Sequence, residues 1–252
     1  MRKLLIVPAV LILSATPALA HDGGHGHADR VQVSEESDPK AIEIAQTVME
    51  AMGGWEAWDA TRYVSWNFFG NRRHWWDRQT GDIRIELGDA LILMNIHTKR
   101  GRAWEGGEEV THADTLALRM DRSHKIWVND SYWMFMPYKL LDPGVTLRYG
   151  GEKAMEDGRA ADVLVLTFGE GAGYTPENKY EVFVARDTGL VEQWTFYRDL
   201  DDEEPGFTLP WTGWEKFGGI LLSTGRGRDK DWDISVPETL PESVFTSPDP
   251  VG

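Results

Sequence analysis

Three histidines stand close together near the start of the chain, in "HDGGHGHADR" from position 21: His21, His25 and His27. Imidazole is a nitrogen ligand of intermediate softness, and a chain beginning at His21 would add its α-amine, a donor set suited to Cu2+, Zn2+ or Ni2+. These three are the candidate metal ligands. Glycines surround them, so nothing adjacent orients the rings. The other histidines, His74, His97, His112 and His124, are dispersed along the chain. The competing reading is therefore a polar spacer. A second cluster, Asp199, Asp201, Asp202, Glu203 and Glu204, has the oxygen density that Ca2+ needs but lacks the D-x-D-x-D-G spacing of a calcium loop, which leaves a solvated acidic loop as the expectation.

Covalent chemistry finds little support. The chain has no G-x-S-x-G, no H-E-x-x-H, no phosphate-cradling glycine loop and no cysteine. Its many carboxylates show no distinctive spacing. The expectation is a protein that is not an enzyme and uses no cofactor.

What remains is aromatic. Twelve Trp, seven Tyr and nine Phe occur in 252 residues. If they line a pocket, Trp66, Phe68, Tyr132 and Trp133 are the candidate ligand-binding positions. Met134 and Phe135 lie beside them, and Met49, Met52 and Met120 supply a deformable lining. Lys139, in the turn-rich "PYKLLDPGV", would stand near the mouth and meet a head group or carboxylate. The alternative is that the aromatics only fill a core and that Lys139 is a solvated residue beside a Pro-Gly turn.

The elements that must position these residues are legible in part. Residues 1–20 carry Arg2 and Lys3, an apolar run from Leu4 to Leu13, and Ala18 and Ala20 before a cleavage point, the pattern of a secretory signal with a core too short to span a bilayer. Residues 21–37 are Gly, His, Asp, Glu and Ser with few apolar side chains, so a flexible leader is expected. Residues 38–248 are expected to form a single domain. Asp38 is a helix N-cap candidate with Pro39 at the first helical position, and Ile42, Ala45, Val48, Met49 and Met52 share one face up to Gly53 and Gly54. "WEAWDAT" adds a helical turn, and alternating Val64, Trp66 and Phe68 mark a strand. "RQTG" at 78–81 and "RDTG" at 186–189 read as two hairpin loops. Leu91 to Met94 read as a strand buried on both faces. Thr111 with Asp114 resembles a capping box that opens a second helix ending near Asn129. "YWMFMPY" then reads as strand, and the proline-rich tail from Val236 as irregular. The sum is a mainly β, α+β chain of roughly nine to eleven antiparallel strands with two helices.

Removal of Arg2 and Lys3 with the signal would take the net charge from −15 to −17. That balance argues against nucleic acid and anionic membranes as partners, and no segment predicts stable membrane insertion. A periplasmic or secreted location is expected.

The stretches "AMGGWEAW", "DTGLVEQW", "WVNDSYWMFMPYKLLDPGVTLRYGGE", "WEKFGGILLS" and "ESVFTSPDPVG" together resemble an exported bacterial family within the superfamily of the lipoprotein-localisation factors LolA and LolB, over about residues 39 to 248. That resemblance implies a curved, incomplete antiparallel β-barrel with helices across its open face. It also implies a cavity for acyl chains or other apolar ligands, and so a hydrophobic small molecule or lipid as partner, with an unidentified envelope protein as a further one. Two other readings stay open: a carbohydrate- or surface-binding module using Trp211 and Trp214 as exposed platforms, and metal handling by the histidine leader.

Overall fold

Both Arg-x-Thr-Gly loops close hairpins by the same bond. In the computed structural model, which describes residues 30–227 and 232–251, the amide of Gly81 donates to the Asp77 carbonyl at 2.9 Å and that of Gly189 to the Ala185 carbonyl at 2.8 Å. Each glycine holds a left-handed φ, 80° and 70°, which other residue types adopt only with strain.

Two short helices lead in, α1 (Pro39–Ala51) and α2 (Gly54–Ala60). Six strands then pair in sequence order into one antiparallel sheet: β1 (Tyr63–Phe68), β2 (Arg72–Asp77), β3 (Asp82–Leu87), β4 (Ala90–Asn95), β5 (Arg100–Glu105) and β6 (Glu108–Glu109). A 23-residue helix α3 (Ala113–Phe135) and a 3-10 turn, Met136–Lys139, follow. A second antiparallel sheet comprises β7 (Val145–Ala154), β8 (Ala160–Phe168), β9 (Lys179–Ala185), β10 (Val191–Tyr197) and β11 (Phe207–Pro210). The hairpin β12 (Thr212–Phe217) with β13 (Ile220–Gly225) and one turn of helix, α4 (Ser243–Thr246), complete the described elements. The chain is thus mainly antiparallel β with a few helices, and its sheets do not close into a barrel. The thirteen described strands fall into three sheets, of six, five and two strands, against roughly nine to eleven strands expected.

Helix α3 separates the two large sheets in sequence and joins them in space. Its N-terminal half places Met120 against Ile83, Ile85, Ile92 and Met94 of the first sheet. Its C-terminal end contributes Met134 and Phe135 to a larger core with α1, β1, the second sheet and Trp211, Leu222 and Trp232. Each such buried side chain contributes roughly 1.5–3 kcal/mol relative to exposure.

Four local expectations change. The helix runs through Tyr132–Phe135 because no breaker occurs before Pro137; the β-favouring residue types there are overridden by packing that suits a helical face. His112 occupies the N-cap position of α3 without a side-chain cap, so Thr111 and Asp114 form no capping box. Asp38 sits at the N-cap of α1, but its carboxylate accepts from the Tyr149 amide of β7 at 2.9 Å instead. The described part of the leader is docked: the amides of Gln32, Ser34 and Asp38 donate to the carbonyls of Leu141, Val145 and Leu147, while Val31 and Val33 pack on the core.

The tail is docked as well. Arg84, 2% exposed on the outer face of β3, donates to the carbonyls of Val244 (3.3 Å), Ser247 (2.8 Å) and Asp249 (2.9 Å). This explains burial of β4 on both sides, with α3 covering one face and the tail the other.

Candidate functional site

The register of the second sheet puts one row of large side chains on the face turned to α3. Leu166 pairs with Tyr180, Tyr180 with Phe196, and Phe196 with Phe207. In a neighbouring row Leu164 pairs with Val182, Val182 with Trp194, and Trp194 with Leu209. Toward one end of the strands this face separates from the helix and leaves a cavity of about 690 Å³. The helix side is supplied by Val128, Tyr132 and Trp133, at helical spacing, and the sheet side by Phe168, Tyr180, Trp194, Phe196 and Phe207.

The rim has two parts. Lys139, Asp142 and Pro143 come from the loop after α3, where Lys139 pairs with Asp142. Ala172 to Thr175 come from the β8–β9 loop. Tyr174 reaches across: its hydroxyl lies 2.6 Å from Nδ1 of His124 on α3 and accepts from Lys99 Nζ at 3.3 Å. Burial raises the Tyr132 phenol well above its ordinary pKa and raises that of Tyr180 as well, so the polar atoms of these walls stay neutral.

Two buried polar assemblies hold α3 in place. On its sheet side, Asp130 accepts from Arg72 Nε at 2.5 Å and Nη2 at 2.7 Å and bonds His74 Nε2 at 2.8 Å. The His74 ring stacks on Trp66, with centroids 4.6 Å apart. At the C-terminal end, Arg226 Nη2 donates to the Trp133 carbonyl at 3.0 Å, while Nη1 donates to Ser223 and Gly225. A cation there satisfies a helix-terminal carbonyl that has no partner within the helix. Its guanidinium lies over the Trp211 ring at 3.6 Å, and burial holds its pKa well below the ordinary value.

The candidate residues therefore divide. Tyr132, Trp133 and Lys139 line the cavity. Trp66, 0% exposed, lies between His74 and the edge of Phe135 in the core, and Phe68 packs against Phe69, Trp133 and Trp232; neither is part of the cavity wall. The reason is that β1 belongs to the other sheet, whose inner face is filled by α3. The methionines also stay in the cores, so Met49, Met52 and Met120 are not lining residues. Trp211 is fully buried under Arg226, and the Trp214 indole donates to the Val191 carbonyl at 3.0 Å, so neither is an exposed platform. His21, His25 and His27 lie outside the described residues. Among the described residues no group of three His, Cys, Asp or Glu side chains is placed to hold a metal ion, the acidic loop at 199–204 included. Nor is any described helix long and apolar enough to cross a membrane.

Sequence reasoning passed over Tyr180, Trp194, Phe196 and Phe207. The alternation of Trp194 and Phe196 in "VEQWTF" marked one strand face, but the residues across from it are set by register alone.

Fold and site together define an unclosed antiparallel β protein with an aromatic cavity between a sheet and a helix. No family model matches the chain, and no curated protein matches it in sequence. Among solved structures, it is similar to a DUF1329 family protein from Desulfovibrio piger (16% identity, 83% of this chain and 98% of that one, TM-score 0.44). It is also similar to an outer membrane lipoprotein-sorting protein domain from Vibrio parahaemolyticus (11% identity, 82% and 96%, TM-score 0.38). A third is a LolA superfamily protein from Nitrosomonas europaea (10% identity, 82% and 97%, TM-score 0.37).

Proposed function

We propose that this protein binds an apolar small molecule or lipid in the cavity between α3 and the second sheet, and carries or buffers it in the cell envelope or outside the cell. The observation that supports this reading is the cavity itself. At about 690 Å³ it falls within the ~300–1,000 Å³ range of small-molecule sites. Its walls are aromatic and its charged groups, Lys125, Lys139 and Asp142, belong to the helix exterior and the rim loop. Each 100 Å² of apolar ligand surface removed from water there contributes ~2.5 kcal/mol. Lys139 and Asp142 would meet the polar end of the ligand. The signal-like residues 1–20 support export, and residues 38–248, extended by the docked segment 30–37, act as the binding domain in this reading. No covalent step is required.

Native mass spectrometry of the purified protein, followed by organic extraction, tests the proposal. A co-purifying or added apolar ligand is expected on the wild type and lost from Val128→Trp, which fills the cavity from the helix side. A protein that takes up neither lipids nor other apolar molecules would sink it.

A further inference from the structure

The make-up of the wall narrows what the cavity would hold, taking the apolar-ligand reading as premise. Leu, Ile and Met fill much of the protein's own cores, yet none of them lines the cavity, whereas nine of its 21 lining residues are aromatic. The rings also hold one another. Tyr180 and Trp194 stack with centroids 5.1 Å apart and planes 7° apart. Trp133 meets Trp194 edge-on at 4.8 Å, and Phe196 stacks on Phe207 at 4.9 Å.

A saturated chain is a string of rotatable bonds, best followed by side chains that are themselves flexible, such as methionine. A wall of mutually packed rings has little such freedom. It offers fixed ring faces and edges, against which another flat ring gains the offset-stacked or edge-to-face contact that aromatic pairs prefer.

We propose that the cavity selects a flat conjugated ring, such as a quinone head group, over a saturated acyl chain. The ring lies against Trp133, Phe196 and Phe207, and any aliphatic tail leaves toward the Lys139 rim.

Isothermal titration calorimetry with decylubiquinone and, separately, with palmitate decides it. The quinone is expected to bind at least about tenfold more tightly. Phe207→Leu, which removes one ring and keeps an apolar side chain, is expected to weaken the quinone about fivefold and leave palmitate unchanged; Phe196→Leu serves if that variant loses its fold. Palmitate binding as tightly as the quinone, or more so, overturns the selectivity while leaving the apolar-ligand reading standing. Binding of neither probe, nor of any other apolar molecule, overturns both.

Discussion

Asp130 of α3 and His74 of β2 share a hydrogen bond of 2.8 Å with neither residue exposed to solvent. Burial penalises the charged imidazole and holds His74 below its ordinary pKa, against the opposing pull of the Asp130 carboxylate; Arg72 and Arg73 push it further down. Burial pushes the Asp130 carboxyl up, but the hydrogen bonds from His74 and Arg72 win, so it too lies below its ordinary value. His74 is thus neutral in the fold, with Nε2–H donating to Asp130.

Stability should therefore fall on mild acidification. Below about pH 6.5 the unfolded chain takes up a proton that folded His74 refuses, which removes up to ~1.4 kcal/mol per pH unit until the folded pKa is reached. The contribution of Asp130 is present above the ordinary carboxylate range and is lost at lower pH, as the pH falls through its depressed folded pKa. Urea unfolding at pH 7 and pH 5.5 should show a smaller loss for His74→Gln, which keeps a donor to Asp130 but cannot titrate. Equal losses in the two proteins would exclude His74 as the source.

Arg226→Ala should cost about 2–4 kcal/mol, since it opens a void beside Trp211 and removes a donor from the Trp133, Ser223 and Gly225 carbonyls. Chemical denaturation checks this. A loss below about 0.5 kcal/mol would mean that other groups serve those carbonyls equally well.

Arg84→Ala should free the tail while leaving β3 in place, because the guanidinium bonds three tail carbonyls and the strand keeps its own ladder. Hydrogen exchange should rise across residues 243–249 and stay low in β3 and β4. Unchanged protection of the tail would assign its docking to Val244 and the Tyr63–Phe245 stack alone.

Tyr174→Phe should loosen the β8–β9 loop at the cavity rim. The lost hydroxyl bonds His124 and Lys99 from a residue that is 41% exposed, so global stability should change by less than about 1 kcal/mol. Exchange at residues 170–177 should rise, and dissociation of a bound ligand should quicken about three- to tenfold, as expected when a rim contact acts on the off-rate. An unaltered dissociation rate would remove Tyr174 as a latch.

Local rules determined much of the secondary structure. Pro39 and the apolar face after it marked α1, and Gly81 and Gly189 marked two hairpins, because a fixed φ, a 3.6-residue period and a left-handed turn are properties of short segments. The wealth of Trp, Tyr and Phe is equally visible, Tyr132 and Trp133 among them, and the turn-rich stretch after them points to Lys139.

Tertiary structure decided the rest. Residue types around Tyr132 favour a strand, and only packing between two sheets makes that segment a helix. Trp66 and Trp194 are both fully buried strand residues, yet one lies against His74 and the other backs the cavity wall, because sheet membership and register determine what each face meets. Docking of the leader and tail likewise depends on distant partners, Leu147 for Asp38 and Arg84 for Ser247, whose approach no local pattern encodes.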